Sequence, residues 1–198
     1  MTVLTFAAPE RNKAPILAVL QRTLPARGRV LEVASGTGQH IVYFATTLTN
    51  LTFLPSDPEQ AHRDSIAARV CASGLSNVEA PVDLDVRIRP WAVPSIDAVV
   101  SINMIHIAPW YAGLALIEEA ARLLPAGGVL VLYGPFSRGG RHTSPSNEAF
   151  DASLRERDVS WGVRDLECVV HTAAACSFLL DEVVEMPANN LSVIFRMV

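Results

Sequence analysis

Residues 30–41, Val-Leu-Glu-Val-Ala-Ser-Gly-Thr-Gly-Gln-His-Ile, constrain the fold of this chain more than any other stretch. The apolar run Val30 to Val33 reads as a buried strand that carries one acid, Glu32. Ser35-Gly36-Thr37-Gly38 ends it, and a helix opens at Gln39. Two glycines let a tight turn bring the backbone close to a ligand. The helix N-terminus behind them offers N–H groups that have no partner in their own helix. Strand, glycine turn and helix in this order are the layout of a nucleotide or nucleoside site in a Rossmann-like sheet.

The rest of the chain supplies such a sheet. Residues 9–23 read as a helix, with Pro15 in its first turns and Ile16, Leu17, Val19, Leu20 and Leu24 as its apolar face. Strands are expected at 30–34, 51–54, 78–84, 97–102 and 129–133, alternating with helices at 38–48, 59–73 and 110–124. Residues 134–160, rich in Gly, Ser, Pro and charge, read as a long insertion with one short helix at 147–156. An unstructured stretch that long inside a compact domain is usually functional. A helix at 164–176 and strands at 178–186 and 191–197 complete the chain. The loop Pro187-Ala-Asn-Asn190 is short enough to join the last two strands as an antiparallel pair. This alternation predicts one α/β domain over residues 1–198. Its sheet is expected to be mostly parallel, with helices on both faces and a terminal hairpin.

Composition narrows the partners. Net charge is −4, with fifteen arginines and one lysine, Lys13, and no basic run, so nucleic acid is not expected. The first nine residues lack the basic start and long apolar core of a signal peptide. No apolar run reaches about 18 residues, so no membrane span is expected. Cys71, Cys168 and Cys176 stand in unrelated contexts and read as buried, reduced thiols, which suits a cytoplasmic location. The histidines show no pair with zinc spacing, and no metal is expected. Neither a G-x-S-x-G elbow nor a phosphate loop ending in G-K is present.

Three features choose among ligands for the glycine turn. The third glycine of a dinucleotide fingerprint would fall at Ile41. Asp57 follows the turn by about twenty residues, where an acid bonds ribose hydroxyls. Glu32 would repel a pyrophosphate and attract an ammonium group. A ligand with ribose, adenine and an amino acid but no phosphate satisfies all three, and S-adenosylmethionine is that ligand. Asp85, after the third expected strand, is placed to accept from the adenine amino group, with Asp83 the competing choice.

This order of elements resembles the class I S-adenosylmethionine-dependent methyltransferases, whose Rossmann-like sheet has about seven strands, the last antiparallel. The resemblance implies that Glu32, Ala34, Gly36 and Gly38 hold the methionine part, Asp57 the ribose and Asp85 the adenine. It places residues near Asn103 at the methionine end. A narrower resemblance rests on seven stretches. They are Pro9-Glu-Arg-Asn-Lys-Ala-Pro15, Ala34-Ser-Gly-Thr-Gly-Gln-His40, Pro55-Ser-Asp57, Ile102-Asn-Met-Ile-His-Ile107, Tyr133-Gly-Pro135, Trp161-Gly-Val-Arg-Asp165 and Met186-Pro-Ala-Asn-Asn190. Together they resemble a small methyltransferase-like family known as a domain of unknown function, with bacterial members and a human methyltransferase-like protein. It implies fold and cofactor and no substrate.

Methyl transfer from a sulfonium needs alignment and exclusion of water, and a base only where the acceptor must lose a proton. His106 is the best titratable candidate for a base or acceptor anchor, though a histidine there reads first as a packed, hydrogen-bonded one. Asn103 can bond substrate or methionine without a charge cost. Tyr133 ends the fifth strand and is a candidate for the acceptor pocket or for the core. Arg11 and Asn12 are candidates to fold over the cofactor carboxylate as a lid, or else form a solvated first turn. Trp161, Arg164 and Asn189 are candidates for substrate contact, with Arg164 facing an acidic group. Asp165 reads as a helix N-cap. His40 reads as a partly exposed polar residue. The acceptor expected is a small molecule, lined by the insertion 134–160 and the N-terminal helix. An NAD-dependent oxidoreductase and a non-catalytic binding or partner module remain the alternatives, and oligomeric state stays open.

Overall fold

The structure, a computed structural model, describes residues 3–198. It divides into two compact units, the first ending at Val100 and the second running from Ser101 to Val198.

In the first unit, helix α1 (Ala7–Thr23) buries Ile16, Leu17, Val19, Leu20 and Thr23, the spacing of one helix face. It ends at Leu24, which is extended because Pro25 follows. Strand β1 (Gly28–Val33) is buried from Val30 onward. Helix α2 (Gln39–Thr47) follows, then β2 (Leu51–Ser56) and α3 (Gln60–Ser73), which stops at a left-handed Gly74. Strand β3 (Ala98–Ile102) crosses the division between the units. β1 and β2 are parallel, with Leu31 opposite Leu54 and Glu32 opposite Pro55.

Residues 78–84 do not form the strand expected of them. Only two isolated parallel bridges tie this stretch to β2, Phe53 to Val78 and Ser56 to Val82. Pro81 lies between them and has no N–H to donate, so the ladder breaks there. The main sheet therefore has six strands and not seven.

The second unit continues with α4 (Trp110–Leu123) and β4 (Val129–Gly134). The insertion at 134–160 is not one short helix in a loop. It holds strands β5 (Phe136–Arg138) and β6 (Arg141–His142), then α5 (Pro145–Arg157). Ser144 caps α5 by accepting the Asn147 N–H, and Pro145 takes the first turn, which fixes a start earlier than expected. A two-residue strand, β7 (Arg164–Asp165), precedes α6 (Leu166–Ala175). Asp165 caps α6 through the Cys168 N–H. β5 pairs with β6 and β7 in a small separate sheet. β8 (Phe178–Met186) and β9 (Asn190–Met197) form the expected antiparallel hairpin, and β9 pairs antiparallel with β4.

None of the three cysteines is buried as expected: Cys71 and Cys168 are exposed, on α3 and in the first turn of α6, Cys176 is half-buried, and all three thiols are unbridged. Among the described residues, no helix is long and apolar enough to cross a membrane. No cluster of His, Cys, Asp and Glu there is arranged to hold a metal ion.

Candidate active site

The glycine turn of the first unit is bent by three left-handed residues, Ala34 (φ 59°), Gly36 (φ 56°) and Gly38 (φ 81°). Gly38 has a second reason to be glycine, since a Cβ there would lie 3.0 Å from the Ile66 backbone. Around Gly36, by contrast, the space is open: nothing lies within 4 Å of where a Cβ would stand. Both glycine amides of the turn are bonded. Gly36 donates to Asp57 Oδ2 at 2.9 Å, and Gly38 donates to the Ser35 carbonyl at 3.1 Å. Ser35 and Ser56 hydroxyls both bond the Glu32 carbonyl, so β1 and β2 are stitched together below the turn.

Glu32 is the anomaly of this unit. Its side chain is buried, and Oε2 has no hydrogen-bond partner. Burial pushes its carboxyl up to about 8; a hydrogen bond from Ser35 partly offsets this, and the nearby Asp57 charge adds to it. Asp57 is buried and committed to the turn: besides Gly36, Oδ1 accepts the Glu59 N–H at 3.0 Å and lies 3.0 Å from His62 Nδ1. Asp85 is gripped by its neighbour Arg87, through Nε at 2.8 Å and through the Arg87 backbone N–H at 3.0 Å. Those bonds hold the Asp85 carboxyl below its ordinary value, Arg87 outweighing partial burial. The rival Asp83 is paired with Arg63. A pocket of about 300 Å³ lies beside Asp85, walled by Leu84, Ile88, Pro90 and Trp91.

The N-terminal segment is fastened to the turn by residues that sequence reasoning missed. Gln39 uses its whole amide: Oε1 accepts the Phe6 N–H (2.7 Å) and the Thr37 hydroxyl (2.8 Å), and Nε2 donates to the Phe6 carbonyl (3.1 Å) and Glu10 (2.7 Å). Ser65 accepts from the Leu4 N–H and donates to the Thr37 carbonyl. Arg69 reaches the same Thr37 carbonyl and the Thr5 hydroxyl. A polar residue directly after Gly-x-Gly carries no hint of this, since its partners lie far off in sequence. Asn12 bonds His40 Nε2 at 2.8 Å. His40 is thus buried, contrary to expectation, and burial pulls its pKa down to about 4. Arg11 is exposed.

In the second unit, Asn103 adopts a left-handed conformation (φ 63°) at the end of β3, and its N–H donates to the Tyr133 carbonyl at 2.7 Å. Tyr133 is buried. His106 is fully buried; its Nδ1 accepts the Arg164 N–H at 3.2 Å, and its Nε2 has no partner. Burial and the Arg164 charge pull its pKa down to about 3, against smaller opposing effects of the Gly162 contact and Asp151. The base role expected of His106 does not fit this ring: its Nδ1 lone pair is occupied. Arg164 is also turned inward. It donates to the carbonyls of Ile105 (2.8 Å), Ala108 (2.6 Å) and Ser160 (2.9 Å) and lies over the Trp110 ring. Its guanidinium therefore clamps the chain around His106 instead of facing an acidic group. Trp161 stacks under Arg157, and Asn189 ties the hairpin loop to α5, its carbonyl accepting from Asn147 at 2.8 Å. Gly134, unremarked as a site residue, lies against the His106 ring, where a Cβ would come within 2.5 Å. Its place after Tyr133 at the strand end was the one available signal.

The fold is that of the class I S-adenosylmethionine-dependent methyltransferases. It is similar to an O-methyltransferase family protein from Burkholderia thailandensis, with TM-score 0.80 and 17% identity over 93% of this chain and 56% of that one. An O-methyltransferase family 2 protein from Planctomyces limnophilus, solved with apigenin, gives TM-score 0.80 and 18% identity, covering 97% and 59%. The O-methyltransferase NcsB1 from neocarzinostatin biosynthesis, solved with S-adenosylmethionine and 2-hydroxy-5-methyl naphthoic acid, gives 0.78 and 18%, covering 96% and 55%. The chain thus spans little more than half the length of these proteins. Residues 4–197 match the family described as a protein of unknown function, DUF938, and the chain belongs to that family.

Proposed function

We propose that this protein binds S-adenosylmethionine and transfers its methyl group to a small-molecule acceptor. One observation carries the reading: the buried Glu32 carboxyl, with Oε2 unpartnered, beneath a glycine turn that is open at Gly36. A carboxyl that burial holds protonated becomes a strong partner only for a cation brought to it. An ammonium group on an otherwise uncharged nucleoside is such a ligand, and a pyrophosphate is not.

The remaining residues fit in distinct ways. Glu32 holds the ammonium, and Ala34, Gly36 and Gly38 give the turn its close approach. Asp57 keeps that turn in shape, with one lone pair, on Oδ2, left for a ribose hydroxyl. The pocket beside Asp85 has the apolar walls an adenine ring needs, and Asp85 meets its amino group once Arg87 yields. Arg11 and Asn12 belong to the segment strapped to the turn, with Arg11 the cation for the methionine carboxylate. When bound, the sulfonium supplies an already activated methyl group, so the protein's work is alignment and exclusion of water. Asn103, Tyr133 and His106 are the groups assigned to the acceptor, with Trp161, Arg164 and Asn189 shaping their surroundings. The similarity to proteins solved with apigenin and a naphthoic acid supports a small acceptor.

Calorimetry tests this directly. S-adenosylmethionine and S-adenosylhomocysteine are expected to bind and NAD is not. NAD binding without S-adenosylhomocysteine binding would reverse the reading.

A further inference from the structure

The N–H edge of His106 serves nothing in the fold. A nitrogen that accepts an amide proton carries none of its own, so with Nδ1 bound to the Arg164 N–H the neutral ring keeps its proton on Nε2. That donor is buried and unpartnered. Phe136 meets the ring edge-to-face at 4.9 Å, and Gly134 backs its Cδ2–Nε2 edge, so the ring is held in this orientation. The point where a Gly134 Cβ would stand is 2.5 Å from Nε2 and 3.2 Å from Asn103 Oδ1.

Two charges act on the ring, the Arg164 cation more strongly than the Asp151 carboxylate. Arg164 gives three of its five guanidinium hydrogens to carbonyls, and those neutral partners leave its charge. Asp151, the acid that faces the ring, is already committed to Arg155 at 2.8 Å and the Val163 N–H at 2.6 Å, with His142 at 3.6 Å. A buried N–H without an acceptor, beside a cation that no carboxylate pairs, is matched by an anion.

We propose that His106 Nε2–H is the hydrogen-bond donor to an anionic oxygen of the methyl acceptor, and that the acceptor is a low-pKa oxygen acid, a carboxylate or an acidic phenol. The proposal rests on the methyltransferase reading. The acceptor oxygen's lone pair forms the new oxygen–methyl bond while the methyl–sulfur bond breaks and leaves its pair on sulfur. The oxygen's negative charge cancels the sulfonium's positive charge. No proton is released, so a ring that cannot act as a base is no obstacle. His106 is then a binding and specificity residue that stays neutral and donating through the physiological range.

Two measurements on the full chain test this. Side-chain ¹⁵N correlation spectra, assigned with His106→Gln, are expected to show an Nε2–H tautomer that does not titrate between about pH 5 and 8. An Nδ1–H tautomer or a protonation midpoint in that range overturns the proposal. Calorimetry with benzoate, benzamide and benzyl alcohol, with and without S-adenosylhomocysteine, is expected to favour benzoate about tenfold or more, as a charged hydrogen bond requires. His106→Gln, which keeps an N–H donor, retains the preference, and His106→Leu loses it. Equal affinities, or no benzoate binding, overturn the proposal. Benzoate preference without S-adenosylhomocysteine binding removes the methyltransferase reading and leaves the anion site. Cofactor binding without the preference does the reverse.

Discussion

Glu32 links the chemistry of one side chain to a measurable proton. Burial pushes its carboxyl up to about 8, so at pH 7 the empty protein carries it roughly nine-tenths protonated. An ammonium group bound beside it favours the ion. Binding of S-adenosylhomocysteine at pH 7 is therefore expected to release about one proton. Calorimetry in two buffers of different ionisation enthalpy reads this number from the difference in apparent heat. In Glu32→Gln the release vanishes. Affinity is expected to fall by about ten- to a hundredfold, because a charged hydrogen bond contributes about 1.5–3 kcal/mol. A wild-type protein that binds without releasing a proton would place the ammonium elsewhere.

At the scale of elements, the strap formed by residues 4–13 depends on Gln39 more than on its own helix. Phe6 precedes α1 and has no side-chain cap, yet both its backbone groups are bonded to the Gln39 amide. Gln39→Ala removes four hydrogen bonds at once. Native-state hydrogen exchange is expected to show the Phe6 amide exchanging about tenfold faster or more, with β1 amides little changed, since each bond contributes about 0.5–1.5 kcal/mol. Unchanged exchange at Phe6 would show that Ser65 and Arg69 hold the strap unaided. This fastening explains what the sequence conceals. Strand, glycine turn and helix at 30–41 were legible because their signals are local: an apolar run, two glycines, a periodic helix. The strap was not, because Gln39 meets Phe6 and His40 meets Asn12 across 33 and 28 residues. Pro81 is the reverse case, a visible breaker inside an apolar run that overrode the strand reading of 78–84. The small sheet of β5, β6 and β7 has strands of two or three residues, too short for any period to show. The bonds between Asp85 and Arg87 were not legible, because they depend on how the turn at 85–88 closes.

Summed over the whole molecule, three buried groups set how stability depends on pH, and they do not act alike. His40 and His106 are held at about 4 and about 3, below their ordinary value of 6.5. The unfolded chain takes up these two protons as pH falls below 6.5 while the folded protein does not, so each histidine withdraws stability on acidification. Glu32 is the opposite case, raised from 4.5 to about 8. Between those values the folded protein holds a proton that the unfolded chain has lost, so this group withdraws stability as pH rises. From about 4.5 to 6.5 the unfolded chain binds up to two protons more on the histidines and one fewer on Glu32. The balance makes stability rise with pH across most of that window. From about 6.5 to 8 only Glu32 contributes, and stability falls by about 1.4 kcal/mol per pH unit at most. The carboxyls of Asp85 and Asp151 are held below their ordinary value, Asp85 by Arg87 and Asp151 by Arg155 and Val163 against the cost of its burial; they act only below the carboxylate range. The free protein is thus expected to be most stable near pH 6.5. Urea unfolding across pH 5 to 8.5 measures this, and Glu32→Gln separates the contributions: the decline above pH 6.5 disappears and the acid limb steepens. If the variant keeps the decline, Glu32 is ionised in the empty protein. The carboxylate would then need no cation to hold its charge, and the observation that favours an ammonium-bearing ligand would lose its force.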